Sequence, residues 1–131
     1  MKWEYNDGGR ERYFSASRVG DCVTRAVAIA ANMDYKDVYD TIRTITGYYP
    51  RNGVKNKDVR KVMEWFGGAW VPCMSVGSGC KVHLRDNEVP MTGSIICNLS
   101  KHVTAIIDGV IQDTFDPSRD GKRCVYGYWI F

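Results

Sequence analysis

The sequence predicts an α+β fold on three observations. Apolar residues recur at helical spacing through the first half of the chain, and short apolar runs split by Gly, Pro, Asn and Asp fill the second half. No internal repeat or low-complexity tract appears. The expected architecture is a set of N-terminal helices packed on a mostly antiparallel sheet or half-barrel. At 131 residues, 44% of them hydrophobic, the chain fits one domain (1–131), large enough to bury a core without metal or disulfide support.

The first helix is expected over Asp21 to Asn32, where Val23, Ala26, Val27 and Ala30 form a stripe at helical spacing. Asp34 is a good N-cap for a second helix, Tyr35 to Thr46, whose Val38, Ile42 and Ile45 repeat every three or four residues and which Gly47 ends. A third runs from Asn56 to Phe66, with Val59, Val62, Met63 and Phe66 on one side before Gly67-Gly68. Its opposite face, with Lys57, Arg60 and Lys61, reads as solvated surface. Strands are expected at 69–74, 80–84, 94–99, 102–107, 109–115 and 124–130.

Composition narrows the function classes. Eighteen Lys plus Arg against fifteen Asp plus Glu give a net charge of +3, and the basic residues are interleaved with acidic ones, so no nucleic-acid partner is expected. No run of about 18 apolar residues exists, and Met1 to Gly9 has no apolar core of a signal peptide, so the chain reads as cytoplasmic and without a membrane partner. Five cysteines, none in a Cys-x-x-Cys spacing, fit reduced cytosolic thiols better than a disulfide framework. Cys73, Cys80, Cys97 and Cys124 read as core, the usual place of a free cysteine.

Cys22 differs, because it stands in the first turn of the alanine-rich helix, after Gly20-Asp21. Unpaired backbone N–H groups there favour a thiolate. His102 opens a strand that turns on Asp108-Gly109. A two-residue type I′ turn sets Ile107 against Val110, Thr104 against Asp113 and His102 against Phe115. His102, Thr104 and Asp113 then share one sheet face, with Asp113 a diagonal step of roughly 7–8 Å from His102. Asp116 is the alternative acid, provided a bend beyond the ladder reverses its parity. Either carboxylate would fix one imidazole nitrogen so that the other faces the thiol. His83, in Lys81-Val82-His83-Leu84, has no acid held close by a tight hairpin.

In the segments Gly20-Asp21-Cys22-Val23-Thr24-Arg25-Ala26 and His102 to Thr114, the chain resembles small members of the papain-like cysteine peptidase superfamily from bacteria and their phages. The order of Cys22, His102 and Asp113 is that of the superfamily's nucleophile, histidine and Asp or Asn. The resemblance implies a papain-like cysteine proteinase fold and a thiol hydrolase that cleaves a peptide or isopeptide bond in a peptide or protein substrate, with no cofactor or metal; a phage-encoded chain would work in the host cytoplasm. Such enzymes usually take an oxyanion donor from a Gln or Asn shortly before the nucleophile. Here Ser15-Ala16-Ser17-Arg18-Val19-Gly20 precedes it, leaving the Cys22 backbone N–H as one donor and Ser17, Asn6 or another backbone N–H as the second. Ser75-Val76-Gly77-Ser78-Gly79 has the glycine content of a flap, and Trp70 and Trp129 read as cleft wall or aromatic core.

Two further readings come from other classes. The missing amide favours a catalytically inactive interaction or inhibitor protein on the same fold. Cys73-x6-Cys80-x2-His83, with Cys97 or Cys124 as a fourth ligand, would suit a zinc-stabilised binding module.

Overall fold

A computed structural model describes residues 1–15 and 20–131. Three helices, α1 (Cys22–Ala30), α2 (Tyr35–Thr46) and α3 (Asn56–Trp65), precede five of the six strands. The strands are β1 (Lys2–Tyr5), β2 (Ala69–Pro72), β3 (Ser94–Leu99), β4 (His102–Ile107), β5 (Val110–Asp113) and β6 (Gly127–Ile130). They form one mixed sheet in the order β1-β5-β4-β3-β6-β2, antiparallel at every pairing except β1 with β5. The chain is therefore α+β, as the sequence predicts.

Local chemistry explains the helix limits. The Asp34 carboxylate accepts from the backbone N–H groups of Lys36 and Asp37 at 3.1 and 3.3 Å, and Gly47 closes α2 in the left-handed region at φ 85°. Helix α1 lays Val23, Ala26, Val27 and Ala30 on β3 and β4, where Ile96, Val103 and Ala105 meet them, with Trp129 of β6 in the same core. Val38 and Ile42 of α2 and Val62 and Met63 of α3 complete this core. Each such aliphatic side chain contributes about 1.5–3 kcal/mol on burial. Alternation sends Ile95, Cys97, Leu99, Ile106 and Ile111 to the opposite face, which Leu84, Val89 and Val125 cover from non-strand segments. With both faces covered, β3 and β4 read as continuous apolar runs.

Three expectations are corrected. The segment 80–84 is not a strand; it makes a single bridge, His83 with Cys124, in a short stretch between turns at 76–77 and 86–88. The runs 69–74, 109–115 and 124–130 shorten to the strands given above. Lys2–Tyr5 adds an unforeseen edge strand, all four residues exposed, held by its ladder to β5 and by the Trp3 indole donating to the Asp113 carbonyl at 3.1 Å. No helix among the described residues is long and apolar enough to cross a membrane.

Candidate active site

Cys22 is the first residue of α1, where the N–H groups of the opening turn lack partners inside the helix. Asp21 holds the N-cap position, yet its side chain makes no capping bond, which leaves the positive end of the helix turned to the thiol. The β4–β5 pairing begins only at Ala105, so Val103 has no strand neighbour on that side, which leaves its backbone N–H to act on the Cys22 thiol. Burial pushes the half-buried thiol up. The hydrogen bond and charge of His102, the Val103 N–H and the nearby Arg25 outweigh that and hold it below the ordinary thiol range.

His102 Nε2 lies 2.7 Å from Asp113 Oδ2, which leaves Nδ1 as the nitrogen to serve the thiol. Burial lowers the imidazole, but its bonds to Asp113 and to Cys22 raise it further, to about 9. Asp113 is buried, and burial alone would raise it; contacts with His102, Thr104 and Thr114 keep it below the usual carboxylate range. The Thr104 hydroxyl donates to Oδ2 and the Thr114 N–H to Oδ1, both at 2.7 Å. Asp108 and Gly109, at φ 47° and 79°, make the type I′ turn, and Ile107 pairs with Val110. That register sets Thr104 beside Asp113. Asp116 is exposed and accepts from the Ser118 N–H at 2.9 Å, so its carboxylate is spent on a turn. Phe115 packs on the imidazole at a centroid distance of 5.0 Å.

A buried ionic layer underlies this trio. Asp21, 1% exposed, accepts through Oδ1 from Arg10 at 3.1 Å and from Arg25, and through Oδ2 from the Tyr35 hydroxyl at 2.6 Å. Arg25 also donates to Asp113 Oδ1 at 3.4 Å. One guanidinium thus ties the helix bearing Cys22 to the strand bearing Asp113. Sequence reasoning passed over Arg25, although it is the one charge on an otherwise apolar helix, four residues after a carboxylate.

Cys22 and His102 open into a cleft of about 910 Å³. Val54, Val59, Trp70 and Trp129 supply its apolar wall, the two indoles meeting at a centroid distance of 4.5 Å. Trp129 is at once core and wall. Gly127 makes this possible, because a Cβ there would sit 2.2 Å from the Trp70 ring. Three side-chain amides line the cleft, Asn52, Asn56 and Asn98, none of which sequence reasoning singled out. Asn98 carries a signal, as the one amide in the apolar run Ile95-Ile96-Cys97-Asn98-Leu99.

The other expectations fare unevenly. Asn6 bonds to Gln112 at 3.0 Å and lines a separate depression, so its amide is not at the thiol. Ser17 lies outside the described residues. The Ser75 to Gly79 segment is a turn held by the Ser78 hydroxyl and does not line the cleft. Cys80 and Cys124 form a disulfide with a Cα separation of 5.9 Å, which corrects the expectation of five reduced thiols. Of the four cysteines read as core, Cys97 is buried, Cys73 and Cys124 are half-buried and Cys80 is exposed. His83 does have an acid, Glu88 Oε1 at 3.2 Å from Nδ1, with Cys80 Sγ at 3.7 Å from Nε2. No three His, Cys, Asp or Glu side chains among the described residues are gathered as a metal would need.

No protein-family model matches the chain, and no curated protein or solved structure matches it either.

Proposed function

We propose that this chain is a papain-like cysteine peptidase or amidohydrolase that cleaves a peptide or isopeptide bond by acyl transfer. One observation carries the reading: Asp113 is bonded to His102 at 2.7 Å, and His102 in turn holds the Cys22 thiol low where both line a cleft, a relay of three groups. Burial alone would keep a cysteine protonated, whereas this one is held toward the thiolate. The thiol on a helix N-terminus followed by His and Asp on neighbouring strands supports the papain-like assignment.

In the proposed reaction His102 Nδ1 takes the Cys22 proton and the thiolate attacks the carbonyl carbon. The resulting oxyanion collapses, the C–N bond breaks, and imidazolium protonates the departing amine. Water, deprotonated by the same imidazole, then attacks the thioester and frees Cys22. Asp113 keeps its charge throughout and stabilises the imidazolium.

Iodoacetamide at neutral pH is expected to label Cys22 far faster than Cys73 or Cys97, and electrophilic acyl probes to mark the protein but not Cys22→Ala. Mass spectrometry of the labelled peptides reads both. Slow, equal labelling of the three free thiols sinks the reading. Fast Cys22 labelling without turnover on any acyl substrate points to the inactive binding protein.

Asn98 is the amide we assign as second oxyanion donor, since it is less exposed than Asn52 and Asn56 and pairs across the sheet with Val103, which lines the cleft beside Cys22. Asn98→Ala is expected to lower kcat by about 10²–10³, while Cys22 still reacts with iodoacetamide. An unchanged kcat removes Asn98 from this role.

A further inference from the structure

The lining of the cleft has one sign of charge. Arg10, Arg25, Arg60 and Lys101 contribute to it, and among the described residues no Asp or Glu does. These four cations are not equivalent. Arg10 and Arg25 are buried and their charge is met from below by Asp21 and Asp113. Arg60 shares an exposed pair with Glu64, through Nε at 2.8 Å, which offsets part of its charge. Lys101 makes no ion pair among the described residues and sits in the hairpin turn one residue before His102. Within the site the thiolate, the imidazolium, two carboxylates and two guanidinium groups cancel. Among the described residues the least compensated charge in the lining is therefore that of Lys101, followed by Arg60, which Glu64 offsets in part.

From this arrangement we infer that the substrate is an acidic peptide, with a Glu or Asp side chain close to the scissile bond and a bulky apolar residue against Trp70. The inference rests on the hydrolase reading and adds the substrate class. A cleft without carboxylates admits an anionic side chain with no like charge to desolvate beside it. A basic side chain meets Lys101 and Arg60 and is disfavoured. Trp70, backed by the buried Trp129, and the half-buried Val54 and Val59 supply apolar area on which an aliphatic or aromatic side chain loses water.

Two alkylating reagents of the same size test this on the full-length protein, iodoacetate carrying a charge and iodoacetamide none. The ratio of their rates at Cys22 is expected to exceed the ratio for free cysteine. It should fall by about three- to ten-fold in the double variant Lys101→Glu, Arg60→Glu at low salt, and less at high salt. Digestion of a peptide library should likewise enrich Glu or Asp beside the cut. A rate ratio equal to that of free cysteine and unmoved by charge reversal overturns the acidic-substrate inference and leaves the hydrolase reading in place. Slow alkylation of Cys22 by both reagents overturns the two together.

Discussion

Cys22→Ala is expected to abolish turnover, and His102→Ala to lower kcat/KM by about 10²–10⁴-fold, the range a positioned general base and acid supplies. The two losses have different origins. Without the sulfur no acyl-enzyme forms, so nothing remains for His102 to assist. Without the imidazole the thiol survives, but its burial acts with the largest opposing contact gone, and the group rises above the ordinary thiol range. The pH profile separates the cases. In the native protein kcat/KM should be bell-shaped, rising at a pH below the ordinary thiol range as Cys22 ionises. It should fall near 9, where His102 gives up the proton that the leaving amine requires. In His102→Ala, alkylation of Cys22 should show a single rise displaced to alkaline pH. A native profile that rises only at the free-thiol value would show that the relay does not operate.

The same shifts govern stability, with opposite signs at the two ends of the relay. His102 is raised on folding, so its contribution is complete below the free imidazole value of about 6.5 and is lost as pH climbs through about 9. Asp113 is lowered, so its contribution is present above the ordinary carboxylate value and is lost as pH falls through its folded value. Between these limits both act. The lowering of Cys22 and the raising of His102 describe one shared contact and are not to be added.

How far this site was legible in the sequence depended on whether the signal was local. Asp34 and Gly47 bound α2 at the expected residues because a cap and a left-handed terminator are written within a few positions. Asp108-Gly109 fixed a hairpin register, and that register alone brought Thr104 to Asp113, so the His102–Asp113 pair could be derived by counting. The edge strand Lys2–Tyr5 could not, since four exposed residues show no alternation and the pairing with β5 is a backbone ladder. Cys80 and Cys124 are 44 residues apart, and spacing says nothing about whether two such thiols meet. Asp21 misleads at the local level. Expected as the first residue of the helix, it stands at the N-cap position and serves as a buried anion, for reasons that lie in Arg10, Arg25 and Tyr35.

That anion gives the largest stability effect. Asp21→Asn keeps the shape but removes the charge facing two buried guanidinium groups, and the variant should lose about 3–5 kcal/mol, the usual cost of stranding a buried charge. Against a total of about 5–15 kcal/mol this is a melting-temperature drop of roughly 10–20 °C. Arg25 keeps one weak partner, Asp113 at 3.4 Å, while Arg10 keeps no carboxylate. Replacing Arg10 by Met in the same chain should therefore recover part of the loss. Asp40→Asn is the matched control: it breaks the exposed Lys36–Asp40 pair at 2.6 Å, and solvent screening predicts no measurable shift. Thermal denaturation of the four proteins decides the matter, and equal small shifts for Asp21→Asn and Asp40→Asn would show that Asp21 does not anchor the layer. If it does, alkylation of Cys22 should also slow in Asp21→Asn, because Asp21 then no longer holds the Arg25 guanidinium in place and only its 3.4 Å contact with Asp113 ties α1 to the carboxylate that orients His102.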